Sequence, residues 1–209
     1  GQQFRFGMPG PRLSATEQQA WLDCLHNLDP APQFIVLSGS LPPGVPTGFY
    51  AAMIEAAPAK TRVVLDASGA GLQQGLKEGL FLIKPNLVEL EQLAGREICG
   101  EDDLIRFARE LISTGKVAAV VTSVGSSGAV LVTAEDYFRV YAPTVHIRSK
   151  VGAGDSTVAG MVLALQRGAS LRDAVRFGVA AGAAAVMTDG TELCRRADAE
   201  RLFAQMPVH

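Results

Sequence analysis

Gly152-Ala153-Gly154-Asp155 sets two glycines and a carboxylate where a long apolar helical pattern begins, running from Gly154 to Arg167. Backbone N–H groups at a helix start lack intrahelical partners and lie at the positive end of the helix dipole, so main chain alone can hold a phosphoryl group there. Gly152 and Gly154 let an anion approach without a Cβ in the way. A carboxylate at that end is favoured in its ionised form and can accept the proton of an attacking hydroxyl. Taken alone, the same four residues more often mark only a capped helix after a glycine turn. Two other phosphate motifs are excluded: the dinucleotide fingerprint needs Gly or Ala where Thr157 stands, and Gly115-Lys116-Val117 lacks the hydroxyl and upstream glycine of a Walker loop.

The elements that must position such a site are legible as short apolar runs separated by helical periodicity. Phe34–Leu37, Thr61–Asp66, Leu80–Ile83 and Ala118–Thr122 read as strands, and Pro46–Ala57, Asn86–Ala94 and Asp102–Thr114 as helices. This alternation predicts a mainly parallel sheet covered by helices on both faces. Gly128–Thr133 and Tyr137–Tyr141 predict an antiparallel hairpin at its edge, followed by helices over Gly154–Arg167, Ser170–Met187 and Ala197–Gln205. The second of these has a thin side of Gly178, Ala180, Ala181, Gly182, Ala183, Ala184 and Ala185, suited either to close helix packing or to a flat adenine ring. No internal repeat or linker divides the chain, which is expected to be one domain.

Polar clusters follow four strands: Ser38-Gly39-Ser40, Asp66-Ala67-Ser68-Gly69, Lys84-Pro85-Asn86 and Ser123 to Gly128. Ligands of parallel sheets bind beyond the carboxyl ends of the strands, so these clusters belong to one edge. Lys84 can counter phosphate charge. Asn86 and Glu89 share a face of a helix start, where they can hold a hydrated Mg²⁺ or where Glu89 is an ordinary solvated first-turn acid.

Composition narrows the class. With 48% hydrophobic residues and a formal charge of −2 from 19 basic and 21 acidic residues, the 209-residue chain has a globular core and no basic block suited to nucleic acid or an anionic membrane. No apolar run is long enough to span a bilayer. Cys24, Cys99 and Cys194 have no metal-ligand spacing and are expected as buried apolar residues in a reducing, cytoplasmic setting. The chain opens at Gly1 with Phe4 and Phe6 alternating with polar residues, as in a strand already under way, so a fragment is expected.

Taken together, Ser38-Gly39-Ser40-Leu41-Pro42, Lys84-Pro85-Asn86 with Glu89, Ser123-Val124-Gly125 with Gly128, and Val151 to Ser156 resemble the ribokinase-like carbohydrate kinase family. Arg5 to Gly10 and Gly190-Thr191-Glu192-Leu193-Cys194 are most similar to its minor 6-phosphofructokinase type. The resemblance covers the whole chain and implies the C-terminal part of a single three-layer αβα domain, with its nucleotide-binding half and catalytic helix but without the N-terminal lid. It implies Asp155 as the base that also meets the substrate, with Gly152, Ala153 and Gly154 as the anion hole. It further implies Lys84, Asn86, Ser123, Gly125, Gly128, Val179 and Ala183 as ATP contacts, Ser38 as a contact to the sugar phosphate and Glu89 as the Mg²⁺-associated acid. Ser149, Val151, Ala185 and Gly190 would hold a monovalent cation such as K⁺, although Thr188 and Glu192 depart from the Asn and Arg of that type. The implied reaction is transfer from MgATP to the 1-hydroxyl of fructose 6-phosphate, in a protein that is a homodimer at full length. Its rivals are 1-phosphofructokinase, tagatose 6-phosphate kinase, and a nucleotide-binding fragment or regulatory relative without catalysis.

Overall fold

The computed structural model describes residues 10–207, so the expected strand at Phe4–Phe6 lies outside the described residues. The chain divides into two compact units, Gly1–Val120 and Val121–His209. The first unit contains α1 (Ala15–His26), β1 (Phe34–Ser38), α2 (Phe49–Ala56), β2 (Arg62–Asp66), α3 (Gly69–Gly75), β3 (Leu80–Ile83), α4 (Leu87–Ala94) and α5 (Glu101–Ser113). Strand β4 (Val117–Ser123) crosses the boundary. The second unit continues with β5 (Ala129–Thr133), β6 (Tyr137–Val140), α6 (Ala153–Gln166), α7 (Leu171–Ala185) and α8 (Arg196–Gln205).

In the first unit every strand pairing is parallel, in the order β1-β2-β3-β4, with Phe34 opposite Arg62, Val64 opposite Leu82 and Leu82 opposite Ala119. Val64, Leu65, Leu82, Ile83 and Val120 are nearly or fully buried, which is why these strands read as continuous apolar runs. At the other end of the strands Arg62 lies over the rings of Phe34 and Phe81, 5.6 and 5.2 Å from their centroids. In the second unit β5 and β6 pair antiparallel, with Ala129 opposite Val140 and Val132 opposite Tyr137, as expected.

Two elements of the first unit were not expected. Helix α1 has a complete capping box, Ser14 with Glu17, but buries only Leu25, so no apolar stripe marks it in the sequence. Helix α3 contains Gly69, Gly71 and Gly75; its Leu72 is buried, and a Cβ on Gly75 would fall 2.5 Å from Leu65 Cδ2. Tertiary packing overrides the poor helix propensity of glycine there. The expectation of buried cysteines is corrected: Cys24 and Cys99 are exposed and Cys194 is half-buried, since their neighbours lie on helix and loop surfaces. Among the described residues no helix is long and apolar enough to cross a membrane.

Two charge clusters fix the first unit. Lys84 Nζ, at the end of β3, lies 3.1 Å from Asp66 Oδ1 at the end of β2, with side chains only 7% and 14% exposed. Asp103, at the start of α5, takes two hydrogen bonds from Arg96 (2.7 and 2.9 Å), one from Arg106 and one from the Cys99 N–H, and so ties down the turn at 95–100. Hydrogen bonds from Arg96 and then from the Cys99 amide hold the Asp103 carboxyl well below its ordinary range.

A depressed carboxyl pKa stabilises the fold fully above the ordinary carboxylate value and loses that contribution as pH falls toward the folded-state value. Urea midpoints should therefore fall below about pH 4 in the native chain, and Asp103→Asn should show a shallower fall; parallel curves would contradict the assignment. For the buried pair, Lys84→Met should cost about 3 kcal/mol by leaving Asp66 unpaired, whereas Lys84→Met with Asp66→Asn should recover most of it. A double variant as unstable as the single one would count against the pair.

Candidate functional site

Helix α6 begins with Gly152 as its N-cap residue, in the left-handed conformation at φ 78°, and no side chain caps it. Its first backbone bond runs from the Ser156 N–H to the Gly152 carbonyl at 2.8 Å. Asp155 is therefore the third residue inside the helix rather than its cap, and it is exposed. The N-cap residue gives no side-chain hydrogen bond to this helix start, and the aspartate lies within its first turn. A Cβ on Gly152 would meet nothing nearer than Leu193 Cδ2 at 3.9 Å, so there is room for an anion at this helix start.

The first turn of α6 is set by α7. A Cβ on Gly182 would strike Thr157 Oγ1 and come within 3.1 Å of the Ala153 carbonyl; one on Gly178 would lie 2.7 Å from the Thr157 carbonyl. On α6 itself, a Cβ on Gly160 would lie 2.9 Å from that of Ala181. The thin side of α7 is thus used for close helix packing, while Val179 and Ala183 belong to an adjacent, also buried, strip. Thr157 Oγ1 donates back to the Ala153 carbonyl at 2.8 Å, which steadies the same turn.

Beyond β4, Gly125–Ser127 forms a 3-10 turn between half-buried Ser123 and buried Gly128, so the expected nucleotide loop is a single compact element. Gly125 lies at φ 61° with nothing within 4 Å of a Cβ position, leaving that side open. Ser149, Val151 and Gly190 also come together: Ser149 Oγ donates to the Gly190 carbonyl at 2.6 Å and accepts from the Val151 N–H at 3.2 Å. The Ser149 N–H reaches the Val186 carbonyl, next to Ala185, and buried Thr188 Oγ1 lies 2.7 and 2.6 Å from the carbonyls of Ala185 and Glu192.

In the first unit the strand-end groups serve each other before any ligand. The Gly39 N–H donates to the Asp66 carbonyl, the Lys84 N–H to the Leu65 carbonyl and Tyr50 Oη to the Gly39 carbonyl. Burial, and secondarily the Asp66 charge, push the Tyr50 hydroxyl above its ordinary pKa. Lys84, expected to counter phosphate, has its ammonium against Asp66, so the pair presents little net charge. Asn86 and Glu89 form a capping box on α4: Asn86 Oδ1 accepts from the Glu89 N–H and Glu89 Oε2 from the Asn86 N–H, both at 2.9 Å. Among the described residues no three His, Cys, Asp or Glu side chains cluster to hold a metal ion. Ser38 is exposed at the end of β1. Tyr50 was given no role from sequence, and Asp66 only a place in a strand-end polar cluster; opposite charges at the ends of successive strands, Asp66 and Lys84, were the available signal for their pairing.

The pfkB family carbohydrate kinase model matches residues 8–198. The chain is 42% identical over 202 residues to the ATP-dependent 6-phosphofructokinase isozyme 2 of Mycobacterium tuberculosis H37Rv, covering 96% of this chain and 59% of that protein. It is 40% identical over 208 residues to the isozyme 2 enzyme of Escherichia coli K12, covering 99% and 67%. The crystal structure of E. coli phosphofructokinase-2 in complex with potassium superposes with a TM-score of 0.91 at 40% identity, covering 98% of this chain and 66% of that one. The chain thus spans about three-fifths of the length of the mycobacterial relative, and its strands and flanking helices are those of the three-layer ribokinase-like α/β fold. The glycine–aspartate helix start and its packing occur in a chain that matches the family model over most of its length: it belongs to the pfkB family of carbohydrate kinases.

Proposed function

We propose that this chain carries the catalytic helix and nucleotide loop of an ATP-dependent 6-phosphofructokinase, which transfers the γ-phosphoryl group to the 1-hydroxyl of fructose 6-phosphate. The observation that supports it most is the uncapped start of α6 with Asp155 three residues beyond an αL glycine. Asp155 accepts the proton of the attacking hydroxyl, and the N–H groups of Ala153 and Gly154 take up charge on the moving phosphoryl oxygens. Positioning supplies most of the remaining catalysis, since phosphoryl transfer asks little covalent chemistry of the protein. Ser123, Gly125 and Gly128 offer main chain to the nucleotide, with Val179 and Ala183 as apolar wall. Ser38 contacts the sugar phosphate.

Glu89 fits a hydrated Mg²⁺ held largely by ATP phosphates, because its capping bond uses only Oε2 and such ions need few protein carboxylates. Bound there, the ion would neutralise phosphate charge. Lys84 acts with Asp66 as a fixed polar strut rather than as a mobile cation. The Ser149–Gly190 link and the carbonyls of Val151 and Ala185 fit a monovalent cation, since a carbonyl that accepts one hydrogen bond retains a second lone pair.

Turnover with MgATP should be measured on fructose 6-phosphate, fructose 1-phosphate and tagatose 6-phosphate, with fructose 6-phosphate expected to give the highest kcat/KM. Asp155→Asn should lower kcat by about 10³-fold and leave MgATP affinity within about twofold; unchanged turnover would remove the base assignment. Nucleotide binding without turnover on any of the three sugars would favour the binding-only alternative. Replacing K⁺ by a bulky organic cation should reduce MgATP affinity or turnover, and an identical rate in both salts would dispose of the cation site.

A further inference from the structure

The 3-10 turn at Gly125–Ser127 is closed from within and fastened from β6. Its own bonds run from the Ser127 N–H to the Val124 carbonyl, from the Gly128 N–H to the Gly125 carbonyl and from the Val124 N–H to the Gly128 carbonyl. Gly128 lies at φ 96°, where a Cβ would strike the Val140 carbonyl and sit 2.7 Å from the Ala142 N, so the turn's exit rests on the backbone at the end of β6. One residue before Val140, Arg139 Nη2 donates to the Ser127 carbonyl at 2.9 Å. Its guanidinium is itself oriented by the Tyr141 ring, 5.2 Å from the centroid. A planar, charged donor fixed against an aromatic face holds a carbonyl more rigidly than a neutral or single-point donor would.

We infer that Arg139 is a positioning residue for the nucleotide, acting through the Ser127 carbonyl to set the 125–128 turn in its binding geometry before ATP arrives. This rests on the reading of that turn as the nucleotide loop. The open side at Gly125 and the anchored side at Ser127 and Gly128 divide the work: one side is left for the ligand, the other keeps the turn from relaxing. Without the anchor, ATP must select a less populated form of the turn, and its apparent affinity falls by that fraction.

The test is calorimetric titration of the chain, Arg139→Ala and Arg139→Lys with MgATP, together with amide hydrogen exchange at Ser127 and Gly128 and thermal unfolding of each protein. Arg139→Ala should raise Kd about tenfold, the factor for a turn in place a tenth of the time, and speed exchange at both amides with Tm nearly unchanged. Arg139→Lys, a single-point donor without the planar stack on Tyr141, should restore only part of both. The ratio of Kd values between wild type and Arg139→Ala should stay constant as ionic strength rises; collapse of that ratio would mean a direct charge contact with phosphate and overturn the positioning role. Wild-type affinity in Arg139→Ala would overturn it as well, while leaving the nucleotide loop intact. A wild-type chain that does not bind MgATP at all would instead remove the nucleotide reading, and this inference with it.

Discussion

The packing of α6 on α7 through glycine is the constraint on which the rest of the second unit depends. Gly160, Gly178 and Gly182 bring two helices so near that any Cβ would collide with a neighbouring side chain or carbonyl. Packed interiors do not deform smoothly, so this approach fixes the height and rotation of α6 as a rigid element. The Ala153 carbonyl lies in the contact, which means that the first turn of α6 is held from below. An uncapped helix end usually frays or recruits water; here its N–H groups are kept in place by packing rather than by a cap. Exposed Asp155 can then be both accessible and well placed.

The first unit is organised by a different economy. Its strand ends are polar, yet several of these groups are paired with each other: Lys84 with Asp66, Tyr50 with the Gly39 carbonyl, Asn86 with Glu89. A largely buried ammonium and carboxylate are costly apart and tolerable together. Such pairing gives shape to the loops after β1, β2 and β3 without leaving a surplus of positive charge.

Rigid backing recurs in the loop after β4. There the anchor is a cross-strand approach at Gly128 and an arginine hydrogen bond, in place of helix packing. In both elements of the second unit a glycine with positive φ lies next to a contact that allows no Cβ or little room for one, and the exposed side of the turn faces outward. The same residue type serves two ends: φ freedom at Gly152 and Gly125, close approach at Gly128, Gly178 and Gly182.

Strand runs such as Leu80–Ile83 and the β5–β6 hairpin were legible because burial on both faces, or a turn between two β-rich runs, leaves a mark in local residue order. The resemblance to one kinase family was legible for the same reason, since it is carried by short contiguous segments such as the glycine–aspartate motif. Helices α1 and α3 were hidden because one buries a single residue and the other is built on glycines, so neither has a period to read. Whether Asp155 was the cap or a residue inside the helix, whether the alanine-rich face of α7 met a helix or a ligand, and whether Lys84 and Glu89 faced outward or paired locally could not be decided from spacing. Those choices depend on which groups from distant positions arrive within a few ångströms, and only the packed tertiary structure brings them there.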